Sequence, residues 1–252
     1  MLRCETGHSF DLAREGYVNL LVGKRPAITG DSAAMIAARR AFLARGHYAP
    51  LVQAVAGAAA GAQPQVVADA GCGEGYYLGA LAGTPEFSGA RFYGTDISKP
   101  AIAAAAKAYP GMMFAVADTN GLLPFADHSV DVLIDVFAPR NAGEFARVVR
   151  PGGRLVVAIP GADHLAELRT RFHMLAIEPN KAEKIVSQMA GFVLEGRREV
   201  RASFDLSGEA LRELVGMTPS IRHLDEEGRR ALTEAGVTTA HAQFEVLAFS
   251  RA

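Results

Sequence analysis

The chain has 252 residues, of which 50% are hydrophobic and 21% are charged, with 26 glycines and 12 prolines. This composition is typical of a folded globular protein and excludes a disordered or collagen-like chain. No apolar run reaches the roughly 18 to 20 residues that a bilayer span needs, the charged start does not resemble a signal peptide, and the two cysteines suit a reducing compartment. We therefore expect a cytoplasmic protein without membrane contact.

The formal net charge is -1, but the charge is unevenly placed. Residues 1–50 contain seven lysines and arginines against four acidic residues, whereas the remainder contains 19 against 23. A mildly basic front end is compatible with phosphate contact. A solvated surface without a partner explains it equally well.

Taken in chain order, a helix over residues 32–43 is predicted first, with Asp31 or Ser32 as its N-cap. From residue 66 onward strands alternate with helices, which indicates an α/β fold with a mostly parallel sheet. The strands are predicted at 66–70, 91–96, 112–118, 130–137, 154–160, 192–206 and 237–250. The helices are predicted at 74–82, 99–109, 142–149, 164–175, 181–189, 211–215 and 226–235. A tight turn is predicted at 150–153, where Pro151 ends a helix and two glycines follow.

The most informative segment is Asp-Ala-Gly-Cys-Gly-Glu-Gly at residues 69–75, which links a buried strand to a helix. Gly71, Gly73 and Gly75 lack Cβ atoms, so a ligand can lie against the backbone beside the helix N-terminus. Dinucleotide folds favour G-x-G-x-x-G, whereas this loop is G-x-G-x-G with Asp69 at the strand end. The pattern favours S-adenosylmethionine, whose cationic amino acid end suits a carboxylate; a purely structural turn is the alternative.

Two further acids end the next two predicted strands. Asp96 lies 20 to 25 residues beyond the glycines, where a carboxylate accepts hydrogen bonds from a ribose diol, and Asp118 lies within reach of an adenine amino group. Each alone could be a turn cap. Together with the loop they indicate one ligand site at the carboxyl ends of the strands. The predicted cofactor contacts are Asp69, Gly71, Cys72, Gly73, Gly75, Tyr76, Asp96, Ile97, Asp118 and Thr119.

Residues 66–160 resemble the class I S-adenosylmethionine-dependent methyltransferases. The resemblance lies in DAGCGEG, Asp96, Asp118, the LPF turn at 123–125 and RPGGRLVV at 150–157. It implies a Rossmann-like, mostly parallel sheet of seven strands with helices on both faces.

A narrower resemblance covers nearly the whole chain. It lies in CETGHSFDLAREGYVNLL at 4–21, GDSAAMIAARRAFLARGHY at 30–48, DISKPAIAAAAKAYP at 96–110, FAPR at 137–140, DHLAEL at 163–168 and MTP at 217–219. These segments are similar to the RlmA-type 23S ribosomal RNA guanine-N1 methyltransferases, which include macrolide-resistance enzymes. The resemblance implies methylation of guanine N1 in a hairpin loop of 23S rRNA, a role in antibiotic resistance and a homodimer.

The resemblance also implies an N-terminal zinc ribbon. Relatives have a Cys-x-x-Cys pair before a Cys-x-x-x-His pair, and this chain begins at the second pair, Cys4 and His8. Structural zinc needs four ligands, and two residues supply half of them. We therefore expect either a start recorded too late or a vestigial ribbon, and zinc binding by these residues is doubtful. Residues 1–30 are predicted as this partial ribbon-like segment and residues 31–252 as the methyltransferase domain.

A sulfonium methyl is already activated, so the enzyme mainly has to align the nucleophile and exclude water. Guanine N1 carries a proton, which a base would help to remove. The candidates are Asp135, Arg140 and His164, although Asp135 could be a structural acid and His164 could cap its helix. RNA contact is predicted at Arg39, Arg40, Arg45, His47 and Tyr48, which offer cations for phosphates and rings for stacking.

Two other functions remain open. A small-molecule methyltransferase of natural products would fit the near-neutral charge and the incomplete ribbon. A non-catalytic cofactor-binding or RNA-binding module is the second alternative; the intact cofactor elements disfavour it, and a titration that showed no cofactor binding would favour it.

Overall fold

The structure is a computed structural model and describes residues 1–3, 7–21, 30–61 and 63–252. The strands of the described part are β1 (Leu2–Arg3), β2 (Ser9–Phe10), β3 (Val18–Asn19), β4 (Val66–Ala70), β5 (Arg91–Asp96), β6 (Met113–Val116), β7 (Val130–Val136), β8 (Val149–Pro160), β9 (Phe192–Leu206) and β10 (Thr238–Arg251). Its α-helices are α1 (Ala33–Ala44), α2 (Ala49–Ala59), α3 (Tyr76–Ala82), α4 (Lys99–Ala108), α5 (Ala142–Val148), α6 (Ala166–Arg171), α7 (Lys181–Gln188), α8 (Gly208–Gly216) and α9 (Glu226–Glu234).

The main sheet of the described residues has eight strands in the order β3-β6-β5-β4-β7-β8-β10-β9. The first six pair in parallel, and β10 runs antiparallel to both β8 and β9. The strand β4 lies between β5 and β7, so the chain order reverses there. Ligands of open α/β sheets bind at such a switch point, beside the carboxyl ends of the strands.

The predicted α/β architecture is confirmed, and all seven predicted strands are present. The sheet has one strand more than predicted, because β3 pairs in parallel with β6 at its edge through Val18↔Ala115 and Asn19↔Val116. This strand belongs to the predicted N-terminal segment 1–30 but pairs with the sheet of the methyltransferase domain. The division of the chain at residue 30 therefore remains a proposal. The pair β1–β2 forms a separate two-stranded sheet.

The turn predicted at 150–153 is wrong. The strand β8 already begins at Val149 and runs through these residues, with Gly152 at a φ of +69°. The register against β7 shifts between Val130 and Val132, so β8 is irregular at this point. Gly152 supplies the positive φ that the irregularity requires.

Apolar side chains cover both faces of the sheet. Along β4, Val67 packs into one buried cluster with helices α1, α2 and α8, and Ala68 packs into a second cluster with α5 and α7. Successive side chains of a strand point to opposite faces, so this alternation shows that the sheet is covered on both sides, as parallel sheets are. In the described part of the chain, every helix is too short or too polar to cross a bilayer.

Candidate active site

A cavity of about 710 Å³ opens at the carboxyl ends of β4, β5, β6 and β7. One part of it is formed by the glycine loop and the residues after β5 and β6. The other part is formed by the turn after β7, the segment before α6 and the start of the 3₁₀ helix Pro219–Arg222. A volume of this size is typical of small-molecule sites. The predicted cofactor residues other than Gly75 lie in the first part.

The glycine loop has the backbone geometry that its sequence indicates. Gly71 and Gly73 have φ values of +90° and +56°, a region that other L-residues enter only with strain. A Cβ atom on Gly71 would lie 2.3 Å from the Cβ of Ala138, and one on Gly73 would lie 3.3 Å from a guanidinium nitrogen of Arg39. Gly75 differs from the prediction: it does not line the cavity but starts α3 at a φ of +83° and packs against Tyr109.

Asp96 holds the loop in place. Its Oδ2 accepts a hydrogen bond from the Gly73 amide at 2.9 Å, and its Oδ1 accepts one from the Ser98 amide at 2.7 Å. Burial raises the pKa of Asp96, against the lowering effect of these two bonds. The carboxylate thus lines the cavity in a fixed orientation, with lone pairs left for a diol.

The other predicted cofactor contacts also line the cavity; they are Asp69, Cys72, Tyr76, Ile97, Asp118 and Thr119. The Asp118 carboxylate accepts a hydrogen bond from the Asn120 amide through Oδ1 at 2.9 Å. This bond fixes the turn after β6 and leaves Oδ2 for a donor such as an amino group.

Two buried carboxyl oxygens on this side are unpartnered. Among the described residues nothing hydrogen-bonds to Oδ1 of Asp69 or to Oε1 of Glu74. Burial raises the pKa of both groups; neighbouring acids add to the effect at Asp69, whereas Arg39 opposes it at Glu74. An unpartnered buried carboxyl is costly, and a cationic ligand would relieve that cost. The site therefore fits a ligand with a positively charged amino acid end.

Arg39 lines the cavity, where its side chain is 24% exposed, and its predicted contact with RNA stays a prediction. Its guanidinium forms an ion pair with Asp31 at 2.5 Å and donates to the backbone carbonyl of Met217 at 3.0 Å. It also lies next to Glu74 and Gly73. Arg39 therefore belongs to the cofactor part of the cavity.

The four other predicted RNA contacts separate into different environments. Arg40 is exposed. Arg45 is exposed but forms two hydrogen bonds with Glu213, at 2.6 and 2.8 Å. His47 stacks on Phe204 with ring centroids 4.6 Å apart. Tyr48 is 2% exposed and packs edge-on against Phe244, so it cannot stack on a base at the surface, and its predicted role there is wrong; the side chain lines the cavity from inside.

Neither Asp135 nor Arg140 lines the cavity, so their placement contradicts the predicted catalytic roles. Arg140 donates to Asp135 at 3.2 Å and to the carbonyl of Ala138 at 2.7 Å. Burial raises the pKa of Asp135 to about 8, although the Arg140 charge acts in the opposite direction. The pair lies beneath the turn after β7 and stabilises that turn.

His164 is the remaining catalytic candidate, and it lines the cavity. Its Nδ1 lies 3.0 Å from the carbonyl oxygen of Gln243. A carbonyl only accepts, so Nδ1 carries the proton and Nε2 carries the lone pair. Burial lowers the pKa of His164 to about 4, which keeps the ring neutral at pH 7. No described residue hydrogen-bonds to Nε2, so this atom can accept a proton from a ligand.

Several cavity residues were not predicted from the sequence; they are Asp31, Glu74, Phe137, Arg169, Lys181 and Met217. Glu74 could have been found, because it stands inside the glycine loop. Phe137 and Met217 belong to the FAPR and MTP segments, whose similarity to a family was the available signal. Nothing in the local sequence separates Arg169 or Lys181 from surface cations.

Comparisons with known proteins agree with this geometry. A methyltransferase domain model matches residues 68–157, and a model described as RlmA, N-terminal, matches residues 1–25. A protein of Micromonospora griseorubida named putative 23S rRNA (guanine-N(1)-)-methyltransferase is 45% identical, over 89% of this chain and 81% of its own length. The chain belongs to the 23S rRNA (guanine-N1)-methyltransferase family. A second member, the 23S rRNA (guanine(748)-N(1))-methyltransferase of Streptomyces fradiae, is 42% identical over 90% of this chain and 81% of its own length.

Family membership confirms the predicted S-adenosylmethionine-dependent methyltransferase. Solved structures agree on the fold. The methyltransferase chain in a complex with the Trm112 activator of Haloferax volcanii superposes with a TM-score of 0.57, at 21% identity, over 89% of this chain and 99% of its own. YcgJ of Bacillus subtilis superposes with a TM-score of 0.55 at 16% identity, over 81% of this chain and 99% of its own.

The RlmA N-terminal model matches residues 1–25, the segment that contains the predicted zinc ligands Cys4 and His8. Cys4 lies outside the described residues, and Cys72, the other cysteine of the chain, is buried in the glycine loop. Within the described ranges no three histidine, cysteine or acidic side chains come together as metal ligands would. Cys4 and His8 would supply two of the four ligands that structural zinc requires, and zinc binding by them stays a prediction.

Proposed function

We propose that this enzyme transfers the methyl group of S-adenosylmethionine to N1 of a guanine in a hairpin loop of 23S rRNA. The observation that carries the proposal is the identity of 42–45% to members of this family over about nine tenths of the chain. The cavity supports it, because it combines the glycine loop with a second, largely apolar part that contains Phe137 and the neutral His164.

The residues of the glycine loop fit the cofactor. Its ammonium group would be met by the unpartnered carboxyl oxygens of Asp69 and Glu74, and its carboxylate by Arg39. Asp96 would hold the ribose diol and Asp118 the adenine amino group. The bound cofactor supplies a methyl group on a positively charged sulfur, which needs no covalent enzyme nucleophile.

His164 is the proton acceptor in this proposal. As the bond from guanine N1 to the methyl carbon forms, N1 gains positive charge and its proton becomes more acidic. The Nε2 lone pair of His164 then takes that proton, while the Nδ1–H group continues to donate to the carbonyl of Gln243. The ring ends as a cation, and N1 ends methylated and neutral. An imidazole with a pKa near 4 suffices because N1 is acidified during the transfer.

The RNA backbone would be held by cations at or near the cavity. Arg40 is exposed beside the glycine loop, and Lys181 lines the mouth between the turn after β7 and α7. Arg45 contributes less, because Glu213 already neutralises it. The resemblance to the family also supports a cytoplasmic homodimer, which analytical ultracentrifugation of the purified protein tests.

The test is methylation of unmodified 23S rRNA transcript with labelled S-adenosylmethionine, followed by mass spectrometry of nuclease fragments. We expect one labelled guanine that blocks primer extension, because an N1 methyl group prevents Watson–Crick pairing, and we expect the label to vanish when that guanine is replaced by adenine. The hairpin that holds guanine 748, after which the Streptomyces fradiae relative is named, is the first fragment to map. Unlabelled RNA despite measurable cofactor binding would contradict the proposal and favour a small-molecule substrate.

A role in macrolide resistance follows from the same proposal. Expression of the chain in a susceptible strain would then raise the inhibitory concentration of a macrolide, and an inactive His164→Asn enzyme would not. Confirmed rRNA methylation without a change in susceptibility would assign the enzyme a housekeeping role.

A further inference from the structure

Phe137 has an unusual backbone for an aromatic residue. It directly follows β7 and has a φ of +59°, a left-handed conformation that is unfavourable for a residue with a side chain. Among the described residues, Leu165 is the other large apolar one at positive φ, with a value of +51°. Both line the same cavity. Backbone strain of this kind persists only where the surroundings impose it, and it concentrates at functional sites.

Three contacts impose the conformation of Phe137. Its own amide donates to the carbonyl of Ala158 at 3.0 Å. Arg140 bonds the carbonyl of the next residue, Ala138, at 2.7 Å and is itself fixed by the buried Asp135. The side chain of Ala138 rests against Gly71, where no room is left for a Cβ atom. The buried, hydrogen-bonded Asp135–Arg140 pair and a glycine thus hold one aromatic side chain in a strained position.

The ring that this arrangement positions is 43% exposed, which is unusual for phenylalanine, and it contributes to the cavity wall. Tyr77 lies edge-on to it with ring centroids 6.4 Å apart, and Phe244 lies 5.8 Å away. Phe244 also contacts His164, at 4.8 Å. The exposed ring and the proton-accepting imidazole therefore share a neighbour and face the same cavity.

We propose that Phe137 is the stacking surface for the target base, and that the Asp135–Arg140 pair positions this surface. The inference rests on the proposed function and identifies a residue that recognises the target base. Chemistry on a paired or stacked base requires the base to be flipped into a pocket, where aromatic side chains hold its face. The ligand class is a flipped purine base, whose N1 edge meets His164 while its face lies on the ring. In this reading Phe137 touches the substrate, and Asp135 and Arg140 are positioning residues.

The experiment is a double-mutant cycle between the ring and the base, with two hairpins derived from the methylated rRNA fragment. One hairpin carries the target guanine, and the other is abasic at that nucleotide. For the wild-type enzyme the abasic change should weaken binding about 5- to 150-fold, the range of one base–aromatic stacking contact. For Phe137→Leu, which keeps the apolar bulk, the same change should cost less than about threefold. Phe137→Tyr keeps the ring and should behave as the wild type does.

The controls separate stacking from folding and from cofactor binding. The affinity for S-adenosylhomocysteine should stay within about twofold in all variants. Phe137→Gly relieves the strained backbone, so its melting temperature should equal or exceed that of the wild type while methylation falls as in Phe137→Leu. This variant keeps the test decisive if Phe137→Leu folds poorly. Asp135→Ala should reduce the binding difference between the two hairpins, and Asp135→Asn, which keeps an acceptor for Arg140, should restore it.

Each outcome bears on the inference. Equal sensitivity of wild-type and Phe137→Leu enzymes to the abasic change, with wild-type methylation of the rRNA intact, would overturn the stacking role alone. Loss of cofactor affinity in Phe137→Leu and Phe137→Gly would overturn it by placing the ring in the cofactor site. If the wild type methylates no rRNA guanine, the proposed function itself fails, and that result is visible before any variant is made.

Discussion

A Cβ atom on Gly71 would lie 2.3 Å from the Cβ of Ala138. The glycine loop after β4 and the turn after β7 are therefore in direct contact, at the point where the two parts of the cavity meet. Cofactor and substrate geometry are linked through this contact, because moving either segment moves the other. Overpacking this contact by substitution gives the first prediction.

Gly71→Ala should weaken cofactor binding by at least about tenfold and lower the melting temperature. The added methyl group meets Ala138, and overpacking of this kind costs about 1–3 kcal/mol. Gly89→Ala is the matched control: its φ of +82° is close to the +90° of Gly71, but no atom lies within 4 Å of its Cβ position. Both variants place a side chain at a positive φ, which lowers stability, but only Gly71→Ala should lose affinity for the cofactor. Calorimetric titration with S-adenosylhomocysteine measures this, and equal affinities would contradict the assignment.

His164→Asn should lower the rate of methyl transfer by about 100-fold, the lower end for removal of a general base. The asparagine amide retains a donor for the carbonyl of Gln243 but has no equivalent of Nε2. Cofactor affinity and RNA affinity should stay within about twofold. Single-turnover methylation with saturating enzyme measures the rate, and an unchanged rate would show that the proton leaves by another route.

The pKa of His164 also predicts a dependence of stability on pH. The folded protein holds this pKa near 4, below the unfolded value of about 6.5. Between these values the unfolded chain binds the extra proton and the folded protein does not, so this group lowers the free energy of unfolding as pH falls from 6.5 to 4. His164→Asn should lose less stability over that range than the wild type. Parallel urea titrations at pH 7 and pH 5 would reject this if the two proteins respond equally.

Features that depend on neighbouring residues in the chain could be predicted from the sequence. The glycine loop, the strand-end acids Asp96 and Asp118, and the alternation of strands and helices are local patterns, and the structure has them in the predicted order. Contacts between distant segments could not be read in this way. Arg39 and Arg40 are adjacent, and a helix turns by about 100° per residue; only the packing of α1 shows which of the two faces Gly73 and which faces solvent.

The same limit applies to the substrate part of the cavity. Asp135 and Arg140 have the chemistry of a catalytic pair, and the sequence places them after a central strand. Burial decides against them, because the carboxyl group of Asp135 is 0% exposed and Arg140 bonds to it from below the turn. Apart from its place in the FAPR segment, Phe137 has no sequence signal of a functional role, because a positive φ has no signature in residue type.

The ionisation of Asp135 gives a further prediction. Burial holds its pKa near 8 in the folded protein, above the unfolded value of about 3.9. The folded state therefore binds an extra proton between these values, and this group's contribution to stability is full at low pH and is lost as pH rises toward 8. Asp135→Asn does not ionise and keeps an acceptor for Arg140. Its melting temperature relative to the wild type should rise from pH 5 to pH 9. A difference that stays constant across this range would show that Asp135 is ionised throughout, as a partner of Arg140.

Arg40 and Arg45 lie five residues apart, and the structure assigns them different environments. Arg40 is exposed, whereas Arg45 is held by Glu213 at 2.6 Å. If Arg40 contacts an RNA phosphate, Arg40→Gln should weaken rRNA binding and reduce the slope of log affinity against log salt by about 0.7 to 0.9. Arg45→Gln removes the same charge but leaves the slope unchanged, since no counterion is released by a cation that is already paired. Filter binding of the rRNA hairpin at several salt concentrations measures both slopes, with cofactor affinity as a check on folding. Equal slopes in the two variants would remove Arg40 from the RNA interface.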